Sequence, residues 1–227
     1  MPGFESEVVF VTDASSDLGE LFVDRFLAQG AARVYAGGRQ PRDWSSDRVV
    51  AVELDVRDID TIERARAEAS DATILLNNDG LPEWPPVTVG GGDLAAVAAH
   101  LDTNVVGAIR LASAFAPVLA GSPRSVILMV YSVQAWINLS GAYAVSQAAL
   151  WSATNALRVE LAPAGVHVAG LVLGLCEADP GLDAIVDRTL AGIAARDYEI
   201  TVDAYSEEIK ARLSAPIPIM YPELVSP

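Results

Sequence analysis

The sequence is poor in the residues that build disulfide frameworks and metal centres. It has one cysteine, Cys176, and two histidines, His100 and His167, in 227 residues. A single cysteine excludes an internal disulfide, and two distant histidines do not supply the closely spaced ligands of a zinc site. We therefore expect all three to be packed residues rather than metal ligands.

Positive charge is also scarce. The chain has 30 acidic and 15 basic side chains and a net charge of −15, which argues against nucleic acid or an anionic membrane as a partner. Residues 1–7 are acidic and lack the basic start and hydrophobic segment of a signal peptide. The apolar stretch around 164–176 is too short to cross a bilayer. These features predict a soluble, cytoplasmic protein.

What the chain does contain is a regular alternation of short apolar runs and amphipathic stretches, and 52% of its residues are apolar. This alternation is typical of βαβ units, and it predicts a single α/β domain with a doubly wound, Rossmann-type parallel sheet and helices on both faces. We place the domain at 1–214. The tail, 215–227, holds four prolines and is expected to be neither regular helix nor central strand. The strands are predicted at 8–11, 33–36, 49–54, 73–76, 125–130, 166–173 and 198–202, and the helices at 18–27, 59–69, 94–119, 141–161 and 182–194.

Six short motifs follow these elements in a fixed order. They are the turn from Thr12 to Gly19, Asp55-Val56, Asn77-Asn78-Asp79-Gly80, Asn104 within a helix, Ser132 at a strand end, and Tyr143-Ala144-Val145-Ser146-Gln147. Together they resemble the short-chain dehydrogenase/reductase family over nearly the whole chain. The resemblance implies an oxidoreductase that uses NADP or NAD.

The cofactor side of this resemblance is incomplete. In the family, glycines let the first turn approach the pyrophosphate at a helix N-terminus, but here Asp13 and Asp17 replace two of the three and leave Gly19 beside Thr12. A carboxylate about 5 Å from a phosphate, at an effective dielectric of about 20, is unfavourable by roughly 3 kcal/mol. We therefore expect weak or absent NADP binding. An alternative role for the two aspartates is to satisfy free N–H groups at the helix start.

Three further residues occupy cofactor positions by resemblance. Arg39 follows the second strand, where members that prefer NADP keep a basic residue for the 2′-phosphate, and Arg42 lies close behind it. Asp55 matches the residue that contacts adenine, and Asn77 matches one on the adenosine side. There are alternative interpretations of these residues. Arg39 could be a solvated charge in a loop, and Asp55 and Asn77 could be turn formers at strand ends.

The catalytic residues of the family match Tyr143 as acid/base, Ser132 as the residue that holds the substrate oxygen, and Asn104 in a water-linked proton path. Gln147 stands where the family has lysine, one helical turn from Tyr143. Glutamine can bind a ribose but carries no charge, and a tyrosine with its ordinary pKa of about 10 is ionised to roughly one part in a thousand at neutral pH. Ala178 also replaces a threonine that contacts the nicotinamide.

Three functions follow from these departures. The first is a degenerate, non-catalytic subunit that supports an active NADP-dependent reductase. It would associate through helices 94–119 and 141–161, as a homo- or hetero-oligomer. The paired short-chain reductases of aminocoumarin-antibiotic biosynthesis are arranged in this way. The second is an active NAD(P)-dependent oxidoreductase that uses Tyr143 and Ser132. The third is cofactor-independent elimination by a Ser-Tyr pair. In the family this reaction also needs an arginine, and this chain has Gln147 in place of that arginine.

Overall fold

Seven parallel strands form one sheet in the computed structural model, which describes residues 3–81, 86–175 and 181–224. The order is β3-β2-β1-β4-β5-β6-β7, so the sheet grows outward in both directions from β1 and β4, as a doubly wound fold requires. The strands are β1 (Val8–Val11), β2 (Arg33–Gly38), β3 (Val49–Glu53), β4 (Ile74–Asn77), β5 (Val126–Ser132), β6 (His167–Leu173) and β7 (Glu199–Thr201). The predicted fold class is confirmed.

Helices cover both faces of this sheet. They are α1 (Asp17–Ala28), α2 (Ile59–Glu68), α3 (Leu94–Leu101), α4 (Ala108–Leu119), α5 (Ala142–Leu161), α6 (Leu182–Ala195), α7 (Ala204–Ala211) and α8 (Ile217–Met220). One apolar core joins the sheet to α2, α4 and α5, with Phe115 and Leu111 fully buried. A second joins it to α1 and α6, with Phe22 and Phe26 fully buried. Because both faces are covered, the strands are continuous apolar runs rather than alternating ones.

The long helix that we predicted over 94–119 is interrupted. Between α3 and α4, residues Asp102–Gly107 form a π-helical turn, a local widening that occurs often at functional sites. Gly107 allows a close approach here, since a Cβ would lie 2.7 Å from a methyl group of Val56. Asn104 lies in this turn. Periodicity predicted the helix because a π-helical turn shifts the apolar stripe without ending it.

The C-terminal segment contains more helix than we predicted. The helix α7 was not predicted, and α8 forms one helical turn inside the tail that we expected to contain none. Proline is tolerated there because Pro218 occupies the first turn, where its missing N–H is not needed. Met220 and Tyr221 pack against the core, whereas Ile217 and Ile219 are exposed.

By length and composition alone, the helical run Leu94–Leu119 is apolar enough to span a membrane. Part of its apolar surface faces the core of the molecule, because Leu111, Phe115 and Leu119 are fully buried against the sheet. A core helix of a globular domain has this composition, so the run does not favour a membrane protein.

Candidate active site

The turn between β1 and α1 is tied to the end of β4. Thr12 is fully buried, and its Oγ1 accepts hydrogen bonds from the backbone N–H groups of Asn78 and Asp79, both at 2.9 Å. The carboxyl ends of β1 and β4 therefore form one corner, the topological switch point where doubly wound sheets bind ligands.

The two aspartates of this turn differ in position. Asp13 has φ of 46°, in the left-handed region that favours glycine, and Asp17 is the first residue of α1. The helix cap is Ser16 rather than either aspartate, since its Oγ accepts from the Gly19 N–H at 3.1 Å. Gly19 is required by packing, because a Cβ there would lie 2.3 Å from the Asp13 carbonyl oxygen.

A third carboxylate, which we did not single out from the sequence, lies at the same corner. Burial, and secondly the charge of Asp13, raise the pKa of Asp79 to about 6, while Arg39 opposes this effect. Asp79 stands where the Asn-Asn-Ala-Gly motif of the family has alanine, so the departure from the motif was the available signal. Asp13 and Asp79 thus bring two carboxylates close together at this corner.

The carboxylate of Asp55 is already engaged. Arg57 donates from Nε to Oδ1 at 3.0 Å and from Nη2 to Oδ2 at 2.8 Å. This pair lowers the pKa of Asp55, as charge-assisted bidentate hydrogen bonds do. Asp55 therefore lies at the end of β3 as the resemblance implied, with both carboxylate oxygens bound to a neighbouring arginine.

Of Arg39 and Arg42, which follow β2 closely, Arg42 is held by neighbouring side chains and Arg39 is not. Arg42 pairs with Glu20 at 2.7 Å and stacks over the Trp44 ring, 4.1 Å from its centroid. Within the described ranges, no ion pair or hydrogen bond holds the Arg39 side chain. Arg39 is the basic group in this loop that remains available to an anion.

Asn77 lies apart from the other site residues. It is 3% exposed, and its Nδ2 donates to the carbonyl oxygen of Ala108 at 3.2 Å. Among described residues its Oδ1 has no partner. The side chain thus braces β4 against the start of α4.

The catalytic candidates, by contrast, converge on one cavity of about 190 Å³ at the carboxyl ends of β4, β5 and β6. Its lining includes Asp79, Asn104, Ser132, Tyr143 and Gln147. Among the described lining residues, Asp79 supplies the negative charge and no side chain is cationic. Within the described part of the lining, no residue replaces the positive charge of the family's lysine.

Gln147 is anchored to the sheet. It is 4% exposed, and its Oε1 accepts the backbone N–H of Ser132 at 2.8 Å. The carbonyl end of the amide is therefore occupied, which leaves the amide nitrogen as the group that Gln147 can offer to the cavity.

Ser132 and Tyr143 reach this cavity from different elements. Ser132 ends β5, and its Oγ accepts the Gln134 N–H at 3.2 Å. Tyr143 stands in the first turn of α5. The N-cap of this helix, Gly141, has φ of 63°, and a Cβ at Gly141 would lie 2.3 Å from the Val87 carbonyl oxygen. Although Ser132 precedes Tyr143 by only eleven positions, both line the same cavity.

Asn104 holds the π-helical turn against its surroundings. Its Oδ1 accepts the Leu81 N–H at 2.6 Å, and its Nδ2 donates to Ser146 Oγ at 2.9 Å. Ser146 in turn donates to the Tyr143 carbonyl oxygen at 2.7 Å. Asn104 therefore lies where the resemblance implied, and its side chain links the loop after β4 to the start of α5.

His100 is a packed residue, as expected, but it lies at the site. It is 6% exposed and meets the Tyr143 ring edge-on, with centroids 6.3 Å apart. Burial lowers the pKa of His100, so the ring is neutral at pH 7. Ala178 and Cys176 lie outside the described residues.

These motifs, strand order and shared cavity define a short-chain dehydrogenase fold, and the family comparison agrees. The family model "short chain dehydrogenase" matches residues 7–181. The chain belongs to the short-chain dehydrogenase/reductase family.

Individual relatives fit this assignment. The chain is 32% identical to human 17-beta-hydroxysteroid dehydrogenase type 1 over 81% of its own length and 59% of that protein's length. It is 30% identical, with a TM-score of 0.89, to a short chain dehydrogenase from Burkholderia cenocepacia in complex with NADP, and the match covers 99% of this chain and 100% of the other. A Burkholderia phymatum family member in complex with NAD shares the fold, with 19% identity, a TM-score of 0.81 and coverage of 94% and 95%.

Proposed function

We propose that this chain is a degenerate member of the oxidoreductase family to which it belongs, with little affinity for NADP. In this proposal it acts as the non-catalytic subunit of an NADP-dependent reductase. The partner would interconvert β-hydroxyl and β-keto groups, the reaction of the paired antibiotic-biosynthesis reductases that the motifs resemble.

The observation that carries the proposal is the charge of the cofactor site. Asp13 and Asp79 lie at the switch-point corner, and the described lining of the neighbouring cavity has no cation. Each carboxylate within about 5 Å of a cofactor phosphate would oppose binding by roughly 3 kcal/mol at an effective dielectric of about 20. The residues present do not suit a dinucleotide diphosphate, although Arg39 remains available for a 2′-phosphate.

The association surface in this proposal is the pair of long helices. Leu94 and Val106 on the α3–α4 run, and Val145 and Val159 on α5, are exposed aliphatic side chains. These helices match those that form the four-helix dimer interface in the family. In the proposal, association would bury these exposed aliphatic side chains.

Titration of NADPH, followed by its fluorescence, tests the cofactor half of the proposal. We expect no saturation of the natural chain below millimolar concentration, and restored binding in Asp13→Gly/Asp79→Ala/Gln147→Lys. Asp24→Asn/Glu68→Gln is a matched control for the lost negative charge, since both residues are exposed on helices away from the site. Micromolar binding by the natural chain would refute a degenerate cofactor site.

An active NADP-dependent reductase is the second candidate. It is favoured by the convergence of Ser132, Tyr143 and Gln147 on one cavity and by the unpaired Arg39. In this alternative Tyr143 exchanges a proton with the substrate oxygen that Ser132 holds. Micromolar NADPH binding with turnover that Tyr143→Phe abolishes would establish it.

A further inference from the structure

A second and larger cavity lies at the opposite end of the sheet from the candidate active site. Its volume is about 270 Å³, and it opens beside the amino ends of β4 and β5 and the C-terminus of α6. Its apolar walls come from Phe4, Ile74, Val126 and Ile193. All four are buried members of the core that joins the sheet to α1 and α6, so the walls are fixed by packing.

Two arginines, Arg124 and Arg196, also line this cavity. Arg124 is fixed in place, because its Nε lies 2.8 Å from Oε1 of Glu7 and its Nη2 donates to the Gly3 carbonyl oxygen at 3.4 Å. Glu7 is itself buried and accepts from Thr73 Oγ1 at 2.6 Å. The Glu7 and Arg124 charges compensate each other, which leaves Arg196 as the net charge of the cavity lining.

Arg196 occupies an unusual backbone position for an arginine. It follows the last residue of α6 with φ of 59°, the left-handed conformation in which glycine is strongly favoured after a helix. No ion pair fixes its guanidinium anywhere in the described chain, although acidic residues outnumber basic ones two to one. An unpaired cation at a conformationally costly position, beside an apolar cavity, points to a ligand that supplies the anion.

We propose that this cavity binds a small amphipathic carboxylate, with its apolar chain against the Phe4 and Ile193 wall and its carboxylate on Arg196. An apolar cavity of about 150 Å³ accommodates benzene, so 270 Å³ holds an acid of roughly ten non-hydrogen atoms. Octanoate has this size. The proposal is independent of whether a dinucleotide binds at the other end of the sheet.

Calorimetric titration of the full chain with sodium octanoate tests the proposal. The titration is run at about 0.15 M salt, where the Debye length of about 8 Å screens the chain's overall negative charge. We expect saturable binding with a Kd on the order of 10⁻⁴ M, and at least tenfold weaker binding of octanol, which lacks the charge. Absence of saturation by octanoate, or equal binding of octanol and octylamine, would overturn it.

Arg196→Gly is the decisive variant. Glycine relieves the left-handed backbone, so the variant should fold with an equal or higher Tm, and a loss of octanoate affinity is then not a folding defect. We expect at least a tenfold loss, whereas Arg64→Gln, on the exposed side of α2, should leave the affinity unchanged. Unchanged affinity in Arg196→Gly would refute the assignment.

The position of the ligand is checked by methyl NMR. Octanoate should shift the Ile193 and Val126 signals and leave Leu150, which lines the candidate active site, unaffected. Shifts confined to Leu150 would show that the acid binds at the other cavity and would overturn the proposal.

Discussion

At the scale of single residues, the partly buried charge of Asp79 is the feature with the clearest energetic consequence. The pKa of Asp79 is raised from its ordinary value to about 6, so the folded chain holds this proton more tightly than the unfolded chain does. The group therefore favours folding below about pH 4, and this contribution is lost as the pH rises through about 6.

Replacing Asp79 by asparagine should accordingly stabilise the protein at neutral pH but not in acid. Each unit between the two pKa values corresponds to roughly 1.4 kcal/mol, and partial solvent exposure reduces the sum to about 2 kcal/mol. Urea titrations at about pH 7.5 and about pH 4 measure the difference. Asp24→Asn, on the exposed side of α1, should show no such pH dependence. An equal effect of Asp79→Asn at both pH values would contradict the buried-charge account.

Asp13→Gly should also stabilise the chain, by a different mechanism. Asp13 has a left-handed backbone, and glycine in that conformation avoids a cost on the order of 1 kcal/mol. This gain should persist in acid, because it comes from the backbone.

In addition, loss of the Asp13 charge should lower the pKa of Asp79, which NMR titration of the Asp79 carboxyl carbon can measure. A pKa of Asp79 that does not move would show that burial alone raises it.

The sequence predicted most of the candidate site but not its electrostatics. Ser132, Tyr143 and Gln147 follow from motifs attached to strand and helix ends, and the structure brings them to one cavity. The sequence does not predict the raised pKa of Asp79, because this shift depends on burial and on the charge of Asp13. Asp13 and Asp79 are distant in sequence and come together at the switch point. Burial and long-range charge contacts are products of the fold, so motif matching does not reveal them.

At the scale of elements, the start of α1 depends on Ser16. Its Oγ accepts from the Gly19 N–H and donates to the Asp13 carbonyl oxygen at 2.8 Å. Ser16→Ala should therefore cost about 1 kcal/mol of the free energy of unfolding, as loss of an N-cap usually does. Asp17→Ala is the control and should cost less, since Asp17 makes no side-chain hydrogen bond to the described residues and acts through the helix dipole. If Asp17→Ala lowered the free energy of unfolding more than Ser16→Ala, Asp17 rather than Ser16 would be the capping residue.

Elements with strong apolar periodicity were predicted within two residues of their bounds, and the departures have local causes. In the widened turn at Asp102–Gly107, the Asn104 side chain bonds to the Leu81 N–H and to Ser146, and composition does not encode such contacts. The helix α7 is short and mostly polar, with Ile209 and Ser206 buried, so its apolar stripe is too sparse to recognise. Its start is marked by Asp203, whose carboxylate caps the Ser206 N–H at 2.7 Å.

At the scale of the whole molecule, the proposed subunit role depends on whether the chain associates through its long helices. Val159 on α5 is 75% exposed, so its side chain is available to another surface. Introducing a charge there should leave the isolated fold unchanged, because the side chain makes little contact within its own subunit. It should weaken association strongly, because an unpaired charge would be buried in the interface.

We therefore expect light scattering after gel filtration to show an oligomer for the natural chain and a monomer for Val159→Glu, with unchanged circular dichroism. Tyr198→Glu is the matched control, since Tyr198 is 65% exposed but lies beside β7 rather than on the two helices. Co-expression with an active family member encoded beside this chain should give a complex that Val159→Glu disrupts and Tyr198→Glu does not. A natural chain that stays monomeric and captures no such reductase would exclude the subunit role, because the helices would then have no partner to bury them.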